Sequence, residues 1–239
     1  MFLYGKRSVV ERLRAAPDTI RSITLQRGLD LPEVVQAAKK AGKPFSSVAK
    51  PDFEKLARTL HTQGVVAEVD DFRYAEIEDL IQQDPKPTLF MLDRVTDPQN
   101  LGNILRTVAC LGSIALVIPK HEAAGVSETV LRVACGGENY VPVALVTNLV
   151  QAAELAKKFG YWIAGAHAEG GTLIHKVSWP FPLAVVIGSE GEGIRPGLKK
   201  HLEMTVTLPM PGASLSFNVA TATALIAYEI TRQRLSEKK

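Results

Sequence analysis

Three stretches of this 239-residue chain combine residue types and spacings able to do chemistry. The first runs from Asp93 to Arg106 and reads Asp-Arg-Val-Thr-Asp-Pro-Gln-Asn-Leu-Gly-Asn-Ile-Leu-Arg. A polar turn gives way there to a helix opening at Pro98, a residue favoured in a first helical turn, with Asp97 placed to cap it. Arg106 stands about one turn beyond Gly102 and Asn103, on the same face. A capped helix with a solvated arginine accounts for Asp97 and Pro98, but not for Asn100, Gly102 and Arg106 together. The second stretch, from Ile187 through Gly188, Ser189, Glu190, Gly191, Glu192 and Gly193 to Ile194, directly follows an apolar run. Glycines at Gly188, Gly191 and Gly193 permit close backbone approach to a ligand or positive φ angles. Phosphate cradling fits poorly, because the P-loop Lys-Ser/Thr pair is missing and Glu190 and Glu192 would repel a phosphate. Two carboxylates and free backbone groups suit a cationic or hydroxyl-rich ligand better. The third stretch, Leu208 to Val219, passes through a Pro-Gly turn into a last helix that Ser216 or Asn218 can cap.

Other chemistries find no constellation. Ser214 lacks the glycine at 216 that a nucleophile elbow needs, and the five histidines form no H-E-x-x-H. Each histidine is expected as a solvated or locally hydrogen-bonded side chain. The two cysteines, Cys110 and Cys135, match no zinc spacing and build no disulfide framework; in their apolar and small-residue surroundings they are expected to be buried fillers. No metal is expected. The three glycines of the second stretch do not form G-x-G-x-x-G, which removes the nicotinamide and flavin oxidoreductases that a doubly wound sheet would otherwise bring to mind.

The elements that must position these loops can be read from periodicity. From Thr88 onward, short apolar runs over 88–92, 113–118, 141–146, 161–166, 183–187 and 205–208 alternate with helical stretches near 98–111, 126–134 and 148–159, and a last helix covers 217–234. That alternation predicts a largely parallel α/β sheet covered on both faces. In such sheets ligands bind at the carboxyl ends of the strands, where the three stretches fall. Ahead of it, helices near 7–16, 31–42 and 51–60 and strands near 20–26, 44–47 and 64–69 predict a small α/β module. Residues 74–83 read as a short polar helix.

Charge divides the chain at the same places. Residues 1–67 carry a net +6, residues 68–84 a net −6, and the remainder a net +3. The expected organisation is a basic module over 1–70, an acidic linker over 71–86 and a larger domain over 87–239, with Asp84-Pro85-Lys86-Pro87 as the boundary because each proline biases its predecessor away from helix. A net +6 suits a polyanion-facing surface, and a generic solvated surface accounts for it equally well. With 46% hydrophobic and 22% charged residues, the chain is not a disordered tail. Its longest apolar runs, such as 183–187, are too short to cross a membrane. The first fourteen residues carry charge throughout and lack an apolar signal core, so a cytoplasmic location is expected.

In this order, the three stretches resemble the signature motifs of the SpoU/TrmH branch of the SPOUT RNA methyltransferases: Asp97–Thr107, Val186–Ile194 and Leu208–Ala222. The Val133–Val143 segment, Val-Ala-Cys-Gly-Gly-Glu-Asn-Tyr-Val-Pro-Val, and the opening Tyr4–Leu13 are similar to the ribosomal RNA guanosine ribose 2′-O-methyltransferases of that branch. The resemblance spans essentially the whole chain. It implies a C-terminal α/β knot, a deep trefoil forming a pocket for S-adenosylmethionine, and a small N-terminal α/β RNA-binding domain related to kink-turn-binding ribosomal proteins. It also implies a homodimer whose active sites draw on both chains, with ribosomal RNA as substrate; a transfer RNA substrate, or an RNA-binding relative without catalysis, are the alternatives. Position by position, Gly188, Leu208 and Phe217 match the cofactor-binding residues, Arg106 the catalytic arginine, and Asn100, Glu190, Ser216 and Asn218 the polar positions around it. Phe217 departs from the usual leucine, an exchange of one apolar residue for a larger one.

Overall fold

The computed structural model describes residues 1–57, 62–189, 191–213 and 215–237. The N-terminal part is built on a four-stranded sheet of β1 (Phe2–Tyr4), β2 (Ile20–Gln26), β3 (Ser46–Val48) and β4 (Val65–Val69), in the order β1-β4-β2-β3. All pairs are antiparallel except β2 with β3. Ile20, Ile23 and Leu25 of β2 turn inward toward α1 (Lys6–Ala15) and α2 (Pro32–Lys40), meeting Val9, Leu13 and Val34. On the other face Tyr4, Phe53 and Val66 form a small separate cluster under α3 (Lys50–Leu56). The predicted helix near 51–60 ends at Leu56, and its last three positions lie outside the described residues.

The acidic stretch departs from expectation. Its helix, α4 (Ile77–Ile81), is not polar in its packing: Ile77, Leu80 and Ile81 are buried in a core cluster with Leu89, Val117 and Leu149. The i, i+3, i+4 spacing of those three residues puts them on one face, while Glu78 and Asp79 take the solvent side. Just before it, the Ala75 N–H donates to Val143 O at 2.9 Å, a bridge onto the edge of the large sheet.

The large sheet has seven parallel strands in the order β7-β6-β5-β10-β8-β11-β9. They are β5 (Thr88–Leu92), β6 (Ile114–Pro119), β7 (Val143–Val146), β8 (Trp162–His167), β9 (Thr172–Leu173), β10 (Leu183–Ile187) and β11 (Met204–Thr207). Alternate residues of the central strands point to opposite faces. Phe90, Leu92, Leu116, Val185 and Ile187 pack beneath α5 (Pro98–Leu111), α6 (Glu128–Ala134) and α9 (Val219–Glu237). Leu89, Met91, Val117, Ala184 and Val186 pack under α7 (Leu149–Lys158), α8 (Pro196–Lys199) and α4. Strands β1 and β9 and helix α8 were not read from the sequence, because two to four residues display no period.

The N-terminal part docks on α6 and the turn after it. The Phe2 N–H donates to Glu128 Oε1 at 2.8 Å, and Arg12 pairs with Glu138 at 3.2 Å, with both side chains nearly inaccessible. Burial pushes the Glu138 carboxyl above its usual range, and the adjacent Arg12 guanidinium opposes that shift. No helix among the described residues is long and apolar enough to cross a membrane.

Candidate active site

The three stretches converge at the carboxyl ends of β5, β8, β10 and β11. In the first, Asp97 caps α5 by accepting from the Gln99 N–H at 2.9 Å, with Pro98 at the first helical position. Gly102 lets α6 approach: a Cβ there would stand 2.6 Å from Val133 Cβ. Arg106 is exposed on α5, and its Nη1 donates to Cys135 Sγ at 3.7 Å.

The second stretch folds tightly on itself. A Cβ at Gly188 would lie 2.2 Å from the carbonyl carbon of Gly193 and 2.4 Å from Ile194 N, so only glycine fits. Gly193, at φ +66°, closes the turn by donating its N–H to Ser189 O at 3.1 Å. Glu192 is ion-paired with Arg94, whose Nη2 also donates to Gly193 O at 3.1 Å. The Glu192 carboxylate is therefore engaged by the chain itself. Glu190 lies outside the described residues.

Beneath this loop sits Asp93, which sequence reasoning missed. It is 0% exposed; its Oδ2 accepts from the Arg195 N–H at 2.8 Å and its Oδ1 from Arg195 Nε at 2.6 Å, while its own N–H donates to Ile187 O at 2.8 Å. One residue thus ties the end of β5 to both sides of the second stretch, its carboxylate to Arg195 and its backbone N–H to Ile187. The available signal was an acidic residue closing an otherwise apolar strand. Replacing Asp93 with alanine leaves the Arg195 groups without their acceptor and should cost about 3 kcal/mol, read as a lowered midpoint in chemical denaturation.

The third stretch joins the other two. Asn218 caps α9 by accepting from the Ala220 N–H at 2.9 Å, and its Nδ2 donates to Asn100 Oδ1, also at 2.9 Å. Capping and a tie to the first stretch are thus both satisfied by one side chain. Gly188, Leu208, Ser216 and Phe217 line a single cleft of about 890 Å³, counting its open mouth, floored by Ile187, Val206 and Ile226. Its concave shape and apolar walls suit a small organic ligand. Arg106 is not among the residues lining it.

Two expectations need correction. The cysteines are not buried fillers: Cys110 is exposed and Cys135 half-buried, and both touch Arg106, since Cys110 Sγ donates to Arg106 O at 3.4 Å. Their places on α5 and in the turn after α6, beside a helix end rather than under the sheet, explain the difference. His167 is neither solvated nor locally bonded through its Nε2, which is buried in the cleft wall without a hydrogen-bond partner. Burial, and then the charge of Lys199, hold its pKa below the ordinary histidine value. Among the described residues no group of three His, Cys, Asp or Glu side chains could hold a metal ion.

A parallel sheet whose strand-end motifs meet in one apolar cleft defines a class, and sequence comparison gives it a family: the chain belongs to the SpoU rRNA methylase family, whose profile matches residues 87–228. A second profile, for RNA 2′-O ribose methyltransferase substrate binding, matches residues 2–75. Among individual relatives, the 23S rRNA (guanosine-2′-O-)-methyltransferase of Bordetella pertussis is 37% identical over 239 residues, covering 97% of each chain. An uncharacterized tRNA/rRNA methyltransferase of Synechocystis is 38% identical over 204 residues; the match takes in 84% of this chain and spans about half, 53%, of that relative. In structure, the SpoU methyltransferase AviRb from Streptomyces viridochromogenes, solved with the cofactor AdoMet, superposes with a TM-score of 0.80 at 24% identity, covering 99% of this chain and 91% of that one. The fold is thus the α/β knot architecture expected from the motifs, with its small N-terminal α/β domain.

Proposed function

We propose that this chain methylates the ribose 2′-hydroxyl of a guanosine in large-subunit ribosomal RNA, using S-adenosylmethionine, as a cytoplasmic homodimer. The observation that carries this reading is the Asn218–Asn100 hydrogen bond, which joins the cleft-lining third motif to the helix bearing Arg106. The cleft fits the cofactor: its walls are apolar, Gly188 keeps one wall free of side chain, and the unpartnered His167 Nε2 offers a polar atom to a ligand. When bound, the cofactor supplies an electrophilic methyl group on a sulfonium sulfur.

The chain's own residues then have distinct parts. Leu208 and Phe217 cover apolar surface of the ligand, and Gly188 allows the backbone to approach it. Asn218 and Ser216 orient the ribose, Asn100 holds Asn218, and Glu190 positions the loop or the cofactor amine. Guanidinium groups keep their proton in proteins and do not act as bases. Arg106 accordingly binds the phosphate next to the reacting ribose and stabilises negative charge growing on the 2′-oxygen as its proton passes to solvent water. Because Arg106 lies outside its own chain's cleft, it serves the cleft of the partner. The exposed Leu225, Tyr228 and Leu235 on one face of α9 support that pairing. Residues 1–70 act as the RNA-binding module, 71–86 as the connection and 87–239 as the catalytic domain; the net +6 of the first block and the two profile matches support this division.

Neutral His167 adds no positive charge to a site for a sulfonium. Its pKa is lowered, so the ring is uncharged near neutral pH and gains a proton only on acidification. S-adenosylmethionine affinity should therefore weaken only at pH values below the ordinary histidine range, where the ring gains its proton, and calorimetric titration of His167→Gln should lose that acid limb.

The deciding experiment is methyl transfer from radiolabelled S-adenosylmethionine to unmodified total RNA, followed by mapping of alkali-resistant ribose positions. Label on one large-subunit guanosine supports the proposal in full. Label on transfer RNA keeps the chemistry and overturns the substrate, and cofactor binding without transfer to naked RNA or ribosomal precursors overturns the catalytic reading.

A further inference from the structure

One short turn touches both the N-terminal module and the helix that carries Arg106. On the module side, Arg12 of α1 pairs with Glu138 at 3.2 Å, the two residues being 7% and 5% exposed. The Tyr140 hydroxyl donates to Glu11 Oε2 at 2.8 Å, and a Cβ at Gly136 would lie 2.4 Å from Glu11 Cβ. On the other side, a Cβ at Gly137 would lie 2.9 Å from Arg106 Cα and 3.0 Å from Leu105 O. Cys135, just ahead of the turn and itself at φ +52°, receives the hydrogen bond from Arg106 Nη1. The turn is therefore pressed between α1 and the backbone of Arg106, with no side chain at Gly137 to cushion it.

The ion pair in this junction is a poor source of stability and a good source of direction. Arg12 Nε and Glu138 Oε2 are both buried without a hydrogen-bond partner, so two charges have left water and are only partly satisfied. An apolar pair of similar volume would hold such surfaces together at least as well. A charged pair adds a fixed approach angle, because its contacts weaken steeply when donor and acceptor turn away from each other.

We propose that Arg12 and Glu138 are positioning residues, which set the angle at which the N-terminal module presents RNA and, through the turn at 136–140, the placement of Arg106. The inference rests on the methyltransferase reading above and deepens it, since it makes the RNA-binding module a determinant of the chemical step as well as of binding. Misplacing a reacting group by about an ångström can cost about a hundredfold in rate.

The test is the full-length double variant Arg12→Met/Glu138→Met, compared with wild type and with Arg12→Lys. The double variant should keep its melting temperature, its Kd for S-adenosylmethionine and its KM for RNA, while kcat on ribosomal RNA falls by about tenfold to a hundredfold. Arg12→Lys, which retains the charge, should recover most of that loss. A double variant with wild-type kcat overturns the proposal, as does one whose kcat falls only in step with melting temperature and cofactor affinity. If wild type itself transfers no methyl group, the methyltransferase reading fails separately. Small-angle X-ray scattering then judges the remaining claim: a broader size distribution in the double variant supports a fixed module angle, and an unchanged one overturns it.

Discussion

Replacing Arg106 with alanine is expected to lower kcat for ribose methylation by about a thousandfold, the scale seen when a preorganised charge stabiliser is removed. The Kd for S-adenosylmethionine should change by no more than about twofold, because truncation removes nothing from the cleft wall. The two quantities separate a residue that acts on the transition state from one that holds the cofactor. Arg106→Lys sharpens the result. If only the field of a positive charge matters, lysine should restore much of the rate. A loss of more than about a hundredfold with lysine would instead assign the effect to the planar, two-pronged geometry of the guanidinium. A mixed dimer tests where the side chain acts. Pairing an Arg106→Ala chain with a chain disabled at Gly188 should leave one class of site inactive and the other intact if each arginine serves its partner.

Gly188→Ala should produce the largest loss of cofactor affinity, by more than about a hundredfold, or roughly 3 kcal/mol. The added Cβ would meet backbone atoms of Gly193 and Ile194 at 2.2–2.6 Å, and backbone cannot swing aside as a side-chain end can. The turn must therefore open, carrying Ser189 and Gly193 away from the cleft they line. Gly212→Ala in the neighbouring third motif is the control, since a Cβ there would meet nothing within 4 Å. Calorimetric titration of both variants checks the contrast. Equal affinities would show that the 188–193 turn is not part of the cofactor site.

How far the sequence reached depends on the range over which each feature is determined. Helix α5 was read at its observed bounds because its signals are local: Asp97 and Pro98 open it, and Gly112, at φ +69°, ends it. The central strands were legible as continuous apolar runs because both their faces are covered. Helix α4 was misjudged because Glu76, Glu78 and Asp79 dominate the composition around it, although the spacing of Ile77, Leu80 and Ile81 already marked a buried face. Within the site, motif residues at Gly188, Leu208, Ser216 and Phe217 were found and do share one cleft. Asp93 and Arg195 were not, since their contact joins positions 102 residues apart and leaves no trace in either local pattern. His167 was passed over for a similar reason: its isolation at the end of β8 is a property of the strands beside it, not of its neighbours in sequence.

The anchoring of the acidic stretch shortens the leash on the N-terminal module. Between the end of β4 at Val69 and the bridge at Ala75 only residues 70–74 remain without a place in either sheet. Spanning from Val69 to Ala75, such a segment reaches at most about 20 Å when fully extended. A module released from its contacts on α6 would stay at an effective concentration in the millimolar range, and would meet its old surface again far sooner than a distant one. Release is then a brief, local excursion.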